Sequence, residues 1–178
     1  MLIKYLKIEK NKTLLRHIKF KMGVNLIVDN TPSDNRKKSG NNVGKTTILR
    51  LVDYCLGGKE QTIYKDLEFK NTNSTVEKFL KDNNVVITLC LGRSFNNETQ
   101  DILLRRDLFP GKKQLLEING ENLTIKKYCD KLNQLLFNLS LPKPTFRELI
   151  AHFIRIDSLK MDRVIKYLHS TTTDNTYE

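Results

Sequence analysis

The first residues, Met1-Leu2-Ile3-Lys4-Tyr5-Leu6-Lys7, alternate apolar and polar positions with the period of two of a half-buried strand. Residues 2–9 and 16–20 read as strands joined by a polar turn at Asn11-Lys12. Gly23 restarts the chain into an apolar run, Val24-Asn25-Leu26-Ile27-Val28, which predicts a further strand over 24–29. A polar loop from Asn30 to Asn42 follows, with Pro32, Ser33 and Asp34. It is long for a strand-to-helix connection, and long loops in compact domains are usually functional. The period then changes to 3.6. Ile48, Leu49, Val52, Cys55 and Leu56 mark the expected buried face of a helix from about Lys45 to Leu56, and Gly57 offers its stop.

Residues 59–73 are polar and weakly patterned. Ser74-Thr75-Val76-Glu77 has capping-box spacing and predicts a short helix to Lys81. Asn84 to Arg93, Asp101 to Leu108 and Lys113 to Ile118 read as three strands, with turns at Pro110-Gly111 and Asn119-Gly120. Asn-Gly is the stronger hairpin signal, and the three strands form an antiparallel meander inserted after the first helix. Thr124 caps a second long helix, with Ile125, Tyr128, Leu132, Leu135 and Leu139 at three- and four-residue spacing and Pro142 and Pro144 as its end. Thr145-Phe146-Arg147-Glu148 is another capping box, and Phe146, Leu149, Ile150, Phe153 and Ile154 give the next helix its apolar face. Residues 159–168 continue as helix with Met161, Val164, Ile165 and Leu168, and Ser170 to Glu178 reads as a polar linker or cut end.

The chemistry is concentrated in Ser39-Gly40-Asn41-Asn42-Val43-Gly44-Lys45-Thr46-Thr47, between the 24–29 run and the first helix. It follows the phosphate-binding pattern G-x-x-x-x-G-K-[ST], with Ser39 where the first glycine stands. A triphosphate leaving water needs several donors at once. Backbone N–H groups at a helix start supply them, and the helix dipole adds about half a positive charge. Gly44 lets the backbone approach without a Cβ, Lys45 reaches the β- and γ-phosphates, the Thr46 hydroxyl takes Mg²⁺, and the Thr47 N–H faces the α-phosphate. Gly40 offers the turn that Ser39 does not. The expected ligands are therefore ATP and Mg²⁺; a helix start that happens to read Gly-Lys-Thr is the plain alternative. No apolar run ending in Asp-Glu and no Ser-Gly-Gly signature follows, so no residue here is assigned as catalytic.

Composition sets the limits. A chain of 178 residues with 39% apolar content is one domain, or a large piece of one. It has no 18-residue apolar run and no signal-peptide core, so a cytoplasmic protein without a membrane partner is expected. Cys55, Cys90 and Cys129 lie far apart in apolar patterns, as reduced core residues do. The net charge of +11 suits nucleic acid, but the lysines are scattered as on ordinary solvated faces. The one tight run, Arg36-Lys37-Lys38, adjoins the phosphate loop.

Taken together, Gly23-Val24-Asn25-Leu26-Ile27-Val28, the Ser-for-Gly loop, Asp53-Tyr54-Cys55-Leu56-Gly57-Gly58, and Thr145-Phe146-Arg147-Glu148-Leu149-Ile150 leading to Phe153-Ile154-Arg155-Ile156 resemble the N-terminal half of the YydD-like coiled-coil ATPases. These are relatives of the SMC and double-strand-break-repair ATPases in the ABC class. The resemblance covers roughly residues 2–168. It implies an α/β P-loop NTPase fold, an ABC/SMC-like head lobe with a mixed sheet, an antiparallel β meander and helices. Residues 1–168 would be the N-terminal lobe, and 169–178 a polar tail or the start of a linker to a coiled coil. It further implies a C-terminal lobe, in cis or trans, carrying the signature and Walker B residues; a head-to-head dimer; and roles on DNA in repair or anti-phage defence. The chain departs from the family in lacking a clear Q-loop glutamine, with His152, Arg155 and Asp157 nearby, and Lys12 lies near the place of a nucleotide-contacting arginine. Two other readings compete: a DNA-binding or assembly module with a vestigial P-loop, supported by Ser39 and the basic surplus, and a small P-loop kinase, which the hairpins over 84–123 do not suit.

Overall fold

The structure, a computed structural model, describes residues 1–28, 45–65, 71–108, 114–154 and 156. The expectations for the loop 30–42, Ser39 to Gly44, the Pro110-Gly111 turn, Arg155, Asp157, the 159–168 helix and the tail fall outside these residues. Six strands form one sheet: β1 (Leu2–Lys10), β2 (Thr13–Lys19), β3 (Val85–Gly92), β4 (Ile102–Asp107), β5 (Leu116–Ile118) and β6 (Glu121–Asn122), in the order β2-β1-β3-β4-β5-β6. The helices are α1 (Lys45–Cys55), α2 (Gln61–Tyr64), α3 (Ser74–Asp82), α4 (Ile125–Phe137) and α5 (Phe146–Ile150).

Register gives the sheet its two faces. Ile18, Leu6, Leu89, Leu104 and Ile118 stand opposite one another across five strands, and the last four are essentially inaccessible to solvent. The neighbouring row, His17, Lys7, Thr88, Arg105 and Glu117, is polar, and Arg105 pairs with Glu117 at 2.9 Å. A one-residue slip would exchange the rows, so burial of the apolar face fixes the register. Leu51, Val52 and Cys55 of α1 share one core with the apolar row. Burial pushes the Cys55 thiol up to about 12 and, with Asp101 adding to it, the Cys90 thiol up to about 11. Both are poor nucleophiles at neutral pH.

Local signals held where the interacting groups are neighbours. Asn119 and Gly120 have φ of 51° and 83°, the left-handed pair a two-residue hairpin needs. At α5 the Thr145 side chain accepts from the Glu148 N–H while Glu148 accepts from the Thr145 N–H at 2.6 Å, a complete capping box.

Several expectations are corrected. Every described strand pairing is antiparallel, so the sheet is not mixed among the described residues. Residues 24–28 form no strand, because no described chain lies beside them; Val24, Leu26 and Val28 are 88%, 80% and 72% exposed. The weakly patterned 59–73 stretch contains α2, which buries Ile63 and Tyr64. Asn73, not Ser74, caps α3 by accepting from the Val76 N–H. On α1, Leu49 faces outward while Leu51 and Tyr54 are buried. On α4, Ile125 and Leu135 are exposed, and the helix ends at left-handed Asn138 rather than at the prolines. Phe153 is exposed and stacks on Phe137.

The capping box makes stability depend on pH. Hydrogen bonds from the backbone and hydroxyl of Thr145 hold the Glu148 carboxyl below its ordinary value of 4.5. A lowered folded-state value means the contribution is present above about pH 4.5 and is lost as pH falls through the folded value. Urea midpoints measured from neutral to acid pH should therefore fall less steeply in Glu148→Gln than in the parent. Thr145→Ala should cost about 1 kcal/mol near neutrality. Equal acid slopes would contradict the assignment.

Candidate nucleotide-binding site

The first four N–H groups of any helix have no partner within it. In α1 they belong to Lys45, Thr46, Thr47 and Ile48, and this first turn carries no acid to compete for them. Thr46 is exposed and Thr47 half-buried. Thr46, expected from the sequence as the Mg²⁺ ligand, thus lies in the first turn, at the positively polarised end of the helix. Ser39, Gly40, Asn41, Asn42, Val43, Gly44 and the Lys45 side chain lie outside the described residues. Lys12 is exposed in the β1–β2 turn with φ of 67°, and His152 is exposed after α5.

The other end of α1 is fixed by groups from three distant elements. Gly57, at φ of 83°, turns the chain so that its N–H reaches the Tyr54 carbonyl and the Gly58 N–H reaches that of Asp53. Arg106 of β4 donates to the carbonyls of Tyr54 and Gly58, the latter at 3.1 Å, and its guanidinium lies 3.7 Å from the Tyr54 ring centroid. The Tyr128 hydroxyl of α4 donates to the Cys55 carbonyl at 2.6 Å. Arg147 of α5 donates to the Leu56 carbonyl at 2.9 Å and pairs with Asp53 at the same distance. Tyr54 itself donates to the Asp107 carbonyl at 2.5 Å. Burial holds the Tyr54 and Tyr128 phenols well above the ordinary value, so both remain donors.

These anchors were missed in the sequence, with one partial signal. Arg106 shares the strand parity of Ile102 and Leu104, which points it at the core. Nothing in sequence pairs Arg147 or Tyr128 with the end of α1, 91 and 73 positions away from their respective carbonyls.

A solved structure of an SMC ATPase, from work on ATP-driven dimerization and DNA-stimulated activation of that class, resembles this fold. The TM-score is 0.51 at 17% sequence identity, over 95% of this chain and 100% of that one. The fold is therefore similar to that of an SMC ATPase head fragment, an α/β arrangement with an antiparallel sheet. No protein-family model and no curated protein matches the chain. No described helix is long and apolar enough to cross a membrane.

Removing the Tyr128 hydroxyl should leave the buried Cys55 carbonyl without its donor. Tyr128→Phe is expected to lower unfolding free energy by about 1–3 kcal/mol, measured by urea denaturation. A neutral result would show that the carbonyl finds another partner.

Proposed function

We propose that this chain is the ATP-binding lobe of an SMC-like ABC ATPase, formed by residues 1–168, and that hydrolysis requires a C-terminal lobe in cis or from another chain. One observation carries the reading: an acid-free helix start with an exposed Thr46 follows an uncovered apolar segment at Val24 to Val28. The first feature suits a phosphate ligand and the second a missing strand neighbour.

The donor set fits MgATP. Ser39 to Thr47 would surround the phosphates, with Lys45 on the β- and γ-groups. Mg²⁺ takes hard oxygen ligands, which the Thr46 hydroxyl provides. When bound, the metal neutralises phosphate charge. The chain's own residues bind and orient; none is assigned to activate water. Among the described residues no three His, Cys, Asp or Glu side chains gather as a metal cluster.

The finer assignments rest on the resemblance to YydD-like ATPases. They are a head-to-head dimer, DNA as a partner, repair or anti-phage defence as the setting, the cytoplasm as the place, and 169–178 as a linker towards a coiled coil. The second reading, a DNA-binding or assembly module with a vestigial P-loop, draws on Ser39 and the net charge of +11.

Mg-ATP at a hundred times its Kd should stabilise the chain by about 2.7 kcal/mol, seen as a rise in melting temperature that Lys45→Ala removes. No rise would favour the assembly module. Turnover by the chain alone should stay below about 1 s⁻¹, under the usual enzyme range. A faster rate abolished by Lys45→Ala would overturn the split-site reading.

A further inference from the structure

The far end of α1 borders a cavity of about 740 Å³, in the size range of small-molecule sites. Arg106 lines it. This side chain is only 6% exposed and stands in the apolar face of the sheet, between Ile87 and Leu116. No carboxylate among the described residues pairs with it, and its buried Nε has no hydrogen-bond partner there. A buried cation lacking a formal counter-ion is costly unless something compensates it. The carbonyls of Tyr54 and Gly58 meet part of that need through one nitrogen.

Across the same cavity lies the start of α4. Thr124 and Ile125 line the wall. Thr124 occupies the N-cap position, yet its side chain makes no capping bond, and the first turn contains no acid. It carries Lys126 and Lys127 instead, the wrong sign for a helix start. Lys59, beside Gly58, is the second cationic wall residue after Arg106. Glu60 is the acid in the lining, and its carboxylate accepts from the Tyr64 hydroxyl at 3.3 Å.

We infer that this cavity is a second oxyanion site, taking the phosphate group of a small molecule between Arg106, Lys59 and the N-terminus of α4. An orphan guanidinium N–H, an ammonium and uncapped backbone N–H groups are the donors a phosphate needs. The volume suits a small ligand. The site is distinct from the P-loop. Eleven helical residues separate the two ends of α1, about 16 Å at the usual rise. An occupant would also meet the guanidinium that holds the end of α1.

The test uses the full chain with Lys45→Ala added to silence the P-loop. Pyrophosphate is titrated while backbone amide resonances are followed by NMR. Saturable shifts are expected at Ile125, Lys126 and Lys127. Affinity should drop about tenfold in Arg106→Gln and about threefold in Lys59→Gln, the loss of charge-assisted hydrogen bonds. Arg106 also holds α1, so if Arg106→Gln fails to fold, the exposed Lys59 decides. Shifts confined to residues 45–48, no saturation, or equal affinity in Lys59→Gln would each overturn the proposal. So would shifts at 125–127 caused by duplex DNA and not by pyrophosphate.

Discussion

A helix that receives phosphates at its start has to be held by its end. Its first N–H groups must stay available to the ligand, so they cannot also tie the helix down. In α1 that load falls on the last carbonyls. Those of Tyr54, Cys55 and Leu56 are each taken by a side chain, from β4, α4 and α5 respectively. Two of the three donors are arginines, placed where the helix dipole is negative. The backbone turn at Gly57 supplies the remaining bonds, and a Cβ there would come 3.1 Å from the Cys129 Sγ. The meander and both C-terminal helices are thus positioned against a single helix end. The opposite end carries the proposed phosphate site.

What could be read from sequence follows the range of the interactions. The α5 capping box and the Asn119-Gly120 hairpin involve residues within four positions of one another, and both stand as expected. Alternation exposes the strands because an antiparallel sheet with one dry face imposes it on each strand separately. The face of α1 was less legible. Its apolar residues occur as neighbours, Ile48-Leu49, Leu51-Val52 and Tyr54-Cys55-Leu56, so more than one stripe fits the pattern. The bond from Tyr54 to the Asp107 carbonyl belongs to the rotation that buries Leu51 and turns Leu49 outward. That partner is 53 positions away. Asn73 capping α3 in place of Ser74 is a smaller case: both residue types cap well, and sequence does not rank them.

The candidate site divides the same way. The proposed phosphate loop is written in consecutive residues, Ser39 to Thr47, so its reading rests on sequence alone. The run Val24 to Val28 has the composition of a strand, but a strand exists only with a neighbour to take its N–H and C=O groups. Composition announces the demand for that neighbour and cannot supply it. Leu14 and Leu15, on the edge strand β2, are exposed as well.

The formal charge of +11 also reads differently once the cations are placed. Arg105 and Lys4 face Glu117 and Asp101 at 2.9 and 2.7 Å, which the residue count already balances. Arg106 is different. Its partners are carbonyl oxygens and an aromatic ring, which contribute partial charge but nothing to a formal tally. Net charge therefore says nothing of where this cation sits, inside the fold and out of reach of a surface partner. The exposed lysines are dispersed, and screening over about 10 Å at 0.1 M salt separates dispersed charges. The positive charge that most needs an anion lies inside, beside a cavity, rather than on a face broad enough for a duplex. Its location, more than the total, decides what kind of partner the charge can select.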